Sequence, residues 1–129
     1  MLRFRAVAAC AALVIGAAAG AAEGQDAGRH PAQISHAFGN TVLSRYPDGG
    51  WVKHWFDADG GYRAEFSSGR RIAARWRVEG RQVCLNGITP RIMMISRFCS
   101  EMPNGRVGET WSSRDPLGRR VVNELRPGR

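Results

Sequence analysis

Arg71-Ile72-Ala73-Ala74-Arg75-Trp76-Arg77-Val78-Glu79 is the stretch that decides the fold. In an extended chain Ile72, Ala74, Trp76 and Val78 fall on one side, and Arg71, Ala73, Arg75 and Arg77 on the other. Such two-residue alternation marks a strand with one face toward a core and one toward water. The next run continues the pattern, with Val83 and Leu85 inward and Gln82 and Cys84 outward. One strand further on, Cys99 shares its face with Arg97 and Ile95, so both cysteines lie on the outer face and can bridge sequential strands.

Working outward from this segment, the chain from Asn40 onward is broken by Gly, Pro or Asp-Gly at roughly 8–12-residue intervals, the rhythm of an all-β sandwich or barrel. Eight strands fit between the breaks: Asn40 to Tyr46, Trp51 to Asp57, Tyr62 to Ser67, Arg71 to Glu79, Gln82 to Asn86, Ile92 to Cys99, Val107 to Ser113 and Arg120 to Leu125. Connections as short as Pro47-Asp48-Gly49-Gly50 and Ser68-Gly69-Arg70 join antiparallel neighbours. The expected fold is therefore an antiparallel eight-stranded small barrel or curved meander sheet. Before it, Ile34, Ala37 and Phe38 at helical spacing, with Pro31 near the first turn and Gly39 as a stop, predict a short helix.

The start of the chain reads differently. Met1 to Arg5 is short and basic, Ala6 to Gly20 is apolar, and Gly20-Ala21-Ala22 supplies the small residues a signal peptidase accepts. Residues 1–22 thus read as an export signal, 23–30 as a flexible spacer and 31–129 as a single domain. The Ala-rich run is marginal against the ~20 strongly apolar residues that span a bilayer, so a retained anchor is the alternative to cleavage. Val7-Ala8-Ala9-Cys10 precedes most of the apolar run and does not read as a lipoprotein box. A periplasmic or secreted location follows, and there Cys84 and Cys99, the two cysteines left after cleavage, read as a disulfide. Neither a C-x-x-C spacing nor a nearby helix N-terminus supports a redox pair.

Charge and motifs exclude several classes of function. The chain carries +8 formal charge, and 18 of its 19 basic residues are Arg, a bias that reads as GC-rich coding. Export and the absence of a recognition motif argue against nucleic acid. Asp57-Ala58-Asp59-Gly60 begins like a calcium loop but lacks the later ligands and the flanking helices, leaving a hairpin turn. His30, His36 and His54 have no metal-binding spacing, so no metal and no cofactor are expected. A catalytic His54 would need a nucleophile and an orienting acid, and no motif supplies the first. The chain therefore reads as a non-enzyme.

Two groups of residues remain as candidate sites. Trp51, Trp55, Trp76 and Trp111 hold much of the aromatic area and either pack the core or line a ligand site. Trp51 and Trp55 share a face with Lys53, while Val52, His54 and Phe56 share the other; alternation leaves open which face is inside. With the first face outside, they form a surface suited to a sugar or an aromatic partner. Arg71, Arg75 and Arg77, beside Arg81 and Arg97, form either a positive patch for an anionic envelope polymer or lipid head group, or a solvated strand face.

Arg75-Trp76-Arg77-Val78-Glu79-Gly80 and Val83-Cys84-Leu85, followed by Cys99, Pro103, Val107-Gly108-Glu109-Thr110-Trp111 and Gly118, give the chain a further pattern. It resembles small exported bacterial proteins of unassigned function in which W-x-V-x-G-x-x-x-C follows G-N-T, here Gly39-Asn40-Thr41. Ala74 stands where that pattern usually has Gly. The resemblance implies a lipocalin-like antiparallel barrel and no assigned active site. The functional expectation is a binding module for a small apolar or envelope ligand. The alternative is a protein-interaction module, such as an inhibitor of an envelope enzyme, acting through the Arg face.

Overall fold

The computed structural model describes residues 32–91, 94–103 and 105–129. The expected export signal and spacer lie outside the described residues. One helical turn, α1 (Ala32–Ser35), leads into eight strands: β1 (Thr41–Arg45), β2 (Trp51–Phe56), β3 (Gly61–Phe66), β4 (Arg71–Glu79), β5 (Gln82–Thr89), β6 (Arg97–Glu101), β7 (Thr110–Arg114) and β8 (Arg120–Arg126). Their order in the sheet is β6-β5-β4-β3-β2-β1-β8-β7, antiparallel throughout. Strands β6 and β7 end the sheet and come alongside each other without a ladder among the described residues, so the barrel is nearly closed along one seam.

Alternation on each strand sends one set of side chains into the barrel. Val42, Val52, Phe56, Tyr62, Ala64, Ile72, Trp76, Val83, Leu85 and Leu125 form the buried core. This answers the question left open for β2: Val52 and Phe56 are inside, and Trp51, Lys53 and Trp55 are outside. Below the barrel, the residues expected to be helical make one α-helical turn and then tight i to i+3 turns, in which Ala37 N–H donates to the Ile34 carbonyl and Phe38 N–H to that of Ser35. Ile34 and Ala37 are buried there, and the Phe38 ring lies 5.7 Å from that of Trp76, closing the base.

Strand β5 runs three residues further than the sequence rhythm suggests. Across from it, β4 advances from Ala73 to Arg75 while β5 advances from Thr89 to Asn86, so β5 carries one extra residue. Gly87, at φ +63°, sits in that bulge. The extra residue returns Ile88 to the interior, where it is 5% exposed. A break in alternation, read as a strand end, is here a bulge within the strand.

Strand β6 begins at Arg97 instead of Ile92. Ile95 was expected to share the outer face with Cys99, but it lies before the strand and packs against the core. Cys84 and Cys99 are direct partners across β5 and β6, and the disulfide joins them with 4.0 Å between their Cα atoms.

The β2–β3 turn contains the tightest glycine. Gly60 has φ +92°, and a Cβ there would come within 2.8 Å of Arg75 Nη2. That nitrogen donates to the Asp59 carbonyl at 2.7 Å. Gly60→Ala therefore combines left-handed backbone strain with displacement of Arg75, at a cost of ~1–2 kcal/mol. Urea unfolding at neutral pH measures it as a lower midpoint with an unchanged m-value.

Candidate functional site

The barrel interior is not completely filled. Apolar side chains including Val42, Val52, Phe56, Ile72, Leu85 and Phe98 enclose a cavity of about 220 Å³. Its lining extends upward to the β7–β8 turn at Asp115, Pro116 and Leu117, and sideways to Ser100, Glu101 and Met102 at the seam. On the outer side of the seam a second cleft, of about 670 Å³, runs between β6 and β7 and shares Ser100, Glu101, Met102, Trp111, Ser113 and Arg114 with the cavity.

One wall of the cavity is polar, for a reason that lies in the alternation of four strands. Ser44 stands between Val42 and Tyr46, His54 between Val52 and Phe56, and Asn123 between Val121 and Leu125, all on inward positions. Ser113 follows Trp111 on the inward face of β7. Register then brings them together, because Ser44 faces Asn123 across β1 and β8. The result is a chain of contacts: Tyr62 hydroxyl to His54 Nδ1 at 2.6 Å, His54 Nε2 to Ser44 Oγ at 2.9 Å, Ser44 Oγ to Asn123 Oδ1 at 2.6 Å, and Asn123 Nδ2 to Ser113 Oγ at 2.8 Å.

The direction of this relay follows from hydrogen-bond accounting. Two directions give every link a donor and an acceptor, and they differ in whether the buried Tyr62 hydroxyl hydrogen finds a partner. Tyr62 donates to Nδ1 of His54, Nε2–H of His54 donates to Ser44, Ser44 donates to Asn123, and Asn123 donates to Ser113. In the reverse direction the Tyr62 hydroxyl, on a residue only 2% exposed, would hold a hydrogen with no acceptor among the described residues. An unpaired buried donor costs ~1–3 kcal/mol, which selects the first direction.

The relay requires a neutral imidazole, and burial supplies one. Desolvation lowers the His54 pKa from 6.5 to about 4. A neutral His54 whose Nε2–H donates to Ser44 cannot take the serine's proton, so this serine–histidine pair is not an activated nucleophile.

Charge is confined to the rim. Asp115 accepts from the Tyr46 hydroxyl at 3.1 Å and from Arg119 Nε at 3.0 Å, and the Arg119 guanidinium lies 4.5 Å from the centre of the Tyr46 ring. Burial alone would raise the Asp115 pKa, but hydrogen bonds from Arg119, Tyr46 and the Leu117 backbone outweigh it and hold the carboxyl below its usual range. Burial, followed by the Asp115 carboxylate, pushes the Tyr46 hydroxyl up to about 12.

The residues singled out in the sequence separate in space. Trp111 lines the cavity. Trp76 is buried at the base, its Nε1–H donating to the Asp57 carbonyl at 2.7 Å, and does not reach the cavity. Trp51 and Trp55 are on the outer surface, so they line no interior site. Trp51 holds Lys53 Nζ 4.9 Å from its ring centre, and Trp55 Nε1–H donates to Thr41 Oγ1. Arg71, Arg75 and Arg77 lie on the outer face of β4. Arg71 is 3.7 Å from Glu65, Arg75 binds the Asp59 carbonyl, and neighbouring Arg97 pairs with Glu79. Internal partners thus take up much of the patch.

The polar wall was missed, although its signal is present: a single polar residue at an inward position in the middle of an apolar strand face. Among the described residues, one cluster of possible metal ligands occurs, Glu79 with Cys84 and Cys99, and the disulfide removes its thiolates. No family model, curated protein or solved structure matches the chain, so the site is defined by its geometry.

Proposed function

We propose that the domain is a non-enzymatic binder of a small apolar ligand, working in the periplasm or outside the cell. The observation that carries this reading is the apolar cavity of about 220 Å³ inside the barrel. Its size sets the ligand's size. A cavity of ~150 Å³ holds benzene, whereas drug-sized pockets begin near ~300 Å³, so the occupant has roughly ten non-hydrogen atoms. The neutral relay supports a binding role over a catalytic one. The export signal read from residues 1–22 and the disulfide, which persists in oxidising compartments, support the location.

The test is a panel of neutral apolar compounds of that size, followed by thermal unfolding and by intrinsic tryptophan fluorescence. At 100 times its Kd a ligand adds ~2.7 kcal/mol to stability and raises the midpoint accordingly. The fluorescence change disappears in Trp111→Phe and survives in Trp51→Phe and Trp55→Phe, whose rings are outside. A panel that moves neither the midpoint nor the emission overturns the reading.

A further inference from the structure

The relay has an end, and that end faces the ligand space. Tyr62, His54, Ser44 and Asn123 each donate to the next member, and the last acceptor is Ser113 Oγ. The hydroxyl hydrogen of Ser113 is the terminal donor of the series. Ser113 is half-buried and lines both the barrel cavity and the seam cleft, with Trp111 two residues away on the same strand face and Val121 opposite on β8. A polar atom of a ligand placed beside Trp111 therefore meets a hydroxyl whose oxygen already accepts from Asn123, which orients its hydrogen away from that bond. Alignment of successive hydrogen bonds strengthens the last donor.

Four charged side chains border this end of the cavity, Glu101, Arg114, Asp115 and Arg119, and of these Asp115 and Arg119 neutralise each other. Arg114 Nη1 donates to the Gly118 carbonyl, and Arg119 and Tyr46 both hold Asp115. Glu101 lies at the seam as an exposed carboxylate. Away from that rim the cavity is bounded by apolar groups and the neutral relay, which offer no counter-ion to an ionised ligand buried among them.

Resting on the reading of the cavity as an apolar-ligand site, we propose that it is specific for a neutral, single-ring compound bearing one acceptor oxygen, such as an aryl ketone. Ser113 donates to that oxygen while the ring packs against Trp111 and the apolar wall. Specificity then comes from the serine hydroxyl, and affinity from the burial of the ring. A buried hydrogen bond of this type contributes ~0.5–1.5 kcal/mol, equivalent to a two- to tenfold change in Kd.

Three matched probes test it on the disulfide-bonded protein by calorimetric titration: acetophenone, ethylbenzene and benzoate. Acetophenone and ethylbenzene bind; benzoate does not. Ser113→Ala weakens acetophenone about fivefold and leaves ethylbenzene unchanged, and Ser113→Thr, which keeps the hydroxyl, restores the ketone. Equal weakening of ketone and hydrocarbon by Ser113→Ala overturns the donor assignment and leaves the apolar site standing. Benzoate binding as tightly as acetophenone overturns the requirement for a neutral ligand. Failure of all three to bind the unsubstituted protein overturns the cavity reading itself, and this inference with it.

Discussion

Replacing Cys84 and Cys99 together by alanine lowers the unfolding free energy by ~3 kcal/mol and the thermal midpoint by roughly 12–24 °C. The bridge closes a loop across a sequence separation of 15 residues, and the loss of chain entropy from the unfolded state sets that scale. Topology adds a reason why the loss is concentrated in one place. Strand β6 is an edge strand, paired to β5 on one side and facing the open seam on the other. Without the bridge the β5 ladder, the Arg97–Glu79 ion pair and the packing of Phe98 and Met102 against the core are left to hold this side. Chemical denaturation of the oxidised, reduced and doubly substituted proteins measures the change. Hydrogen exchange locates it, with β6 amides losing protection before those of β1 to β4. Equal midpoints for all three forms would show that the seam strand is held by packing alone.

The parts of this molecule that were legible in the sequence are those governed by neighbouring residues. The alternation in 71–79 defines β4 to the residue and places Ile72, Ala74, Trp76 and Val78 inward, because the parity of a strand needs no knowledge of its partners. The outward parity of Cys84 and Cys99 likewise anticipates the bridge. Where a residue departs from regular geometry, parity fails. Gly87 shifts the β5 rhythm, Ile95 precedes the start of β6, and β7 begins at Thr110 instead of Val107, after Gly108 takes φ +95° and its N–H bonds the Leu125 carbonyl.

The site was less legible because it depends on closure. A strand such as β2 has one face with two tryptophans and another with Val52, His54 and Phe56, and composition favours the tryptophans as the ligand wall. The pairing of β1 with both β2 and β8 continues the sheet around that second face, which lines the cavity. The same pairing brings Ser44, His54 and Asn123, 79 residues apart at the widest hydrogen bond, into one relay. Each is a lone polar residue on the inward face of its own strand; together they form the cavity's polar wall.

That wall gives the domain a stability that depends on acidity. Lowering the pH from about 6.5 to about 4 removes on the order of 3 kcal/mol, at ~1.4 kcal/mol per unit of pKa difference. Burial holds the His54 pKa at about 4, against 6.5 for the exposed side chain of an unfolded chain. Between these values the unfolded state binds the proton and the folded state does not, so acid favours unfolding. The contribution is complete above pH 6.5, falls as pH drops toward 4, and changes no further below it. Geometry opposes protonation in the same sense: a hydrogen on Nδ1 would meet the hydrogen of the Tyr62 hydroxyl, which now donates to that nitrogen at 2.6 Å. Asp115, whose carboxyl lies below its ordinary 3.8, also withdraws stability in acid, but only at lower pH, so the two windows separate. His54→Leu removes the titrating group; it lowers stability at pH 7 by leaving the Tyr62 and Ser44 hydroxyls short of a partner, and it flattens the profile between pH 4.5 and 7. Urea midpoints measured across that interval for both proteins decide the matter. Parallel slopes for the parent and His54→Leu would assign the acid sensitivity to other groups and remove His54 from the account.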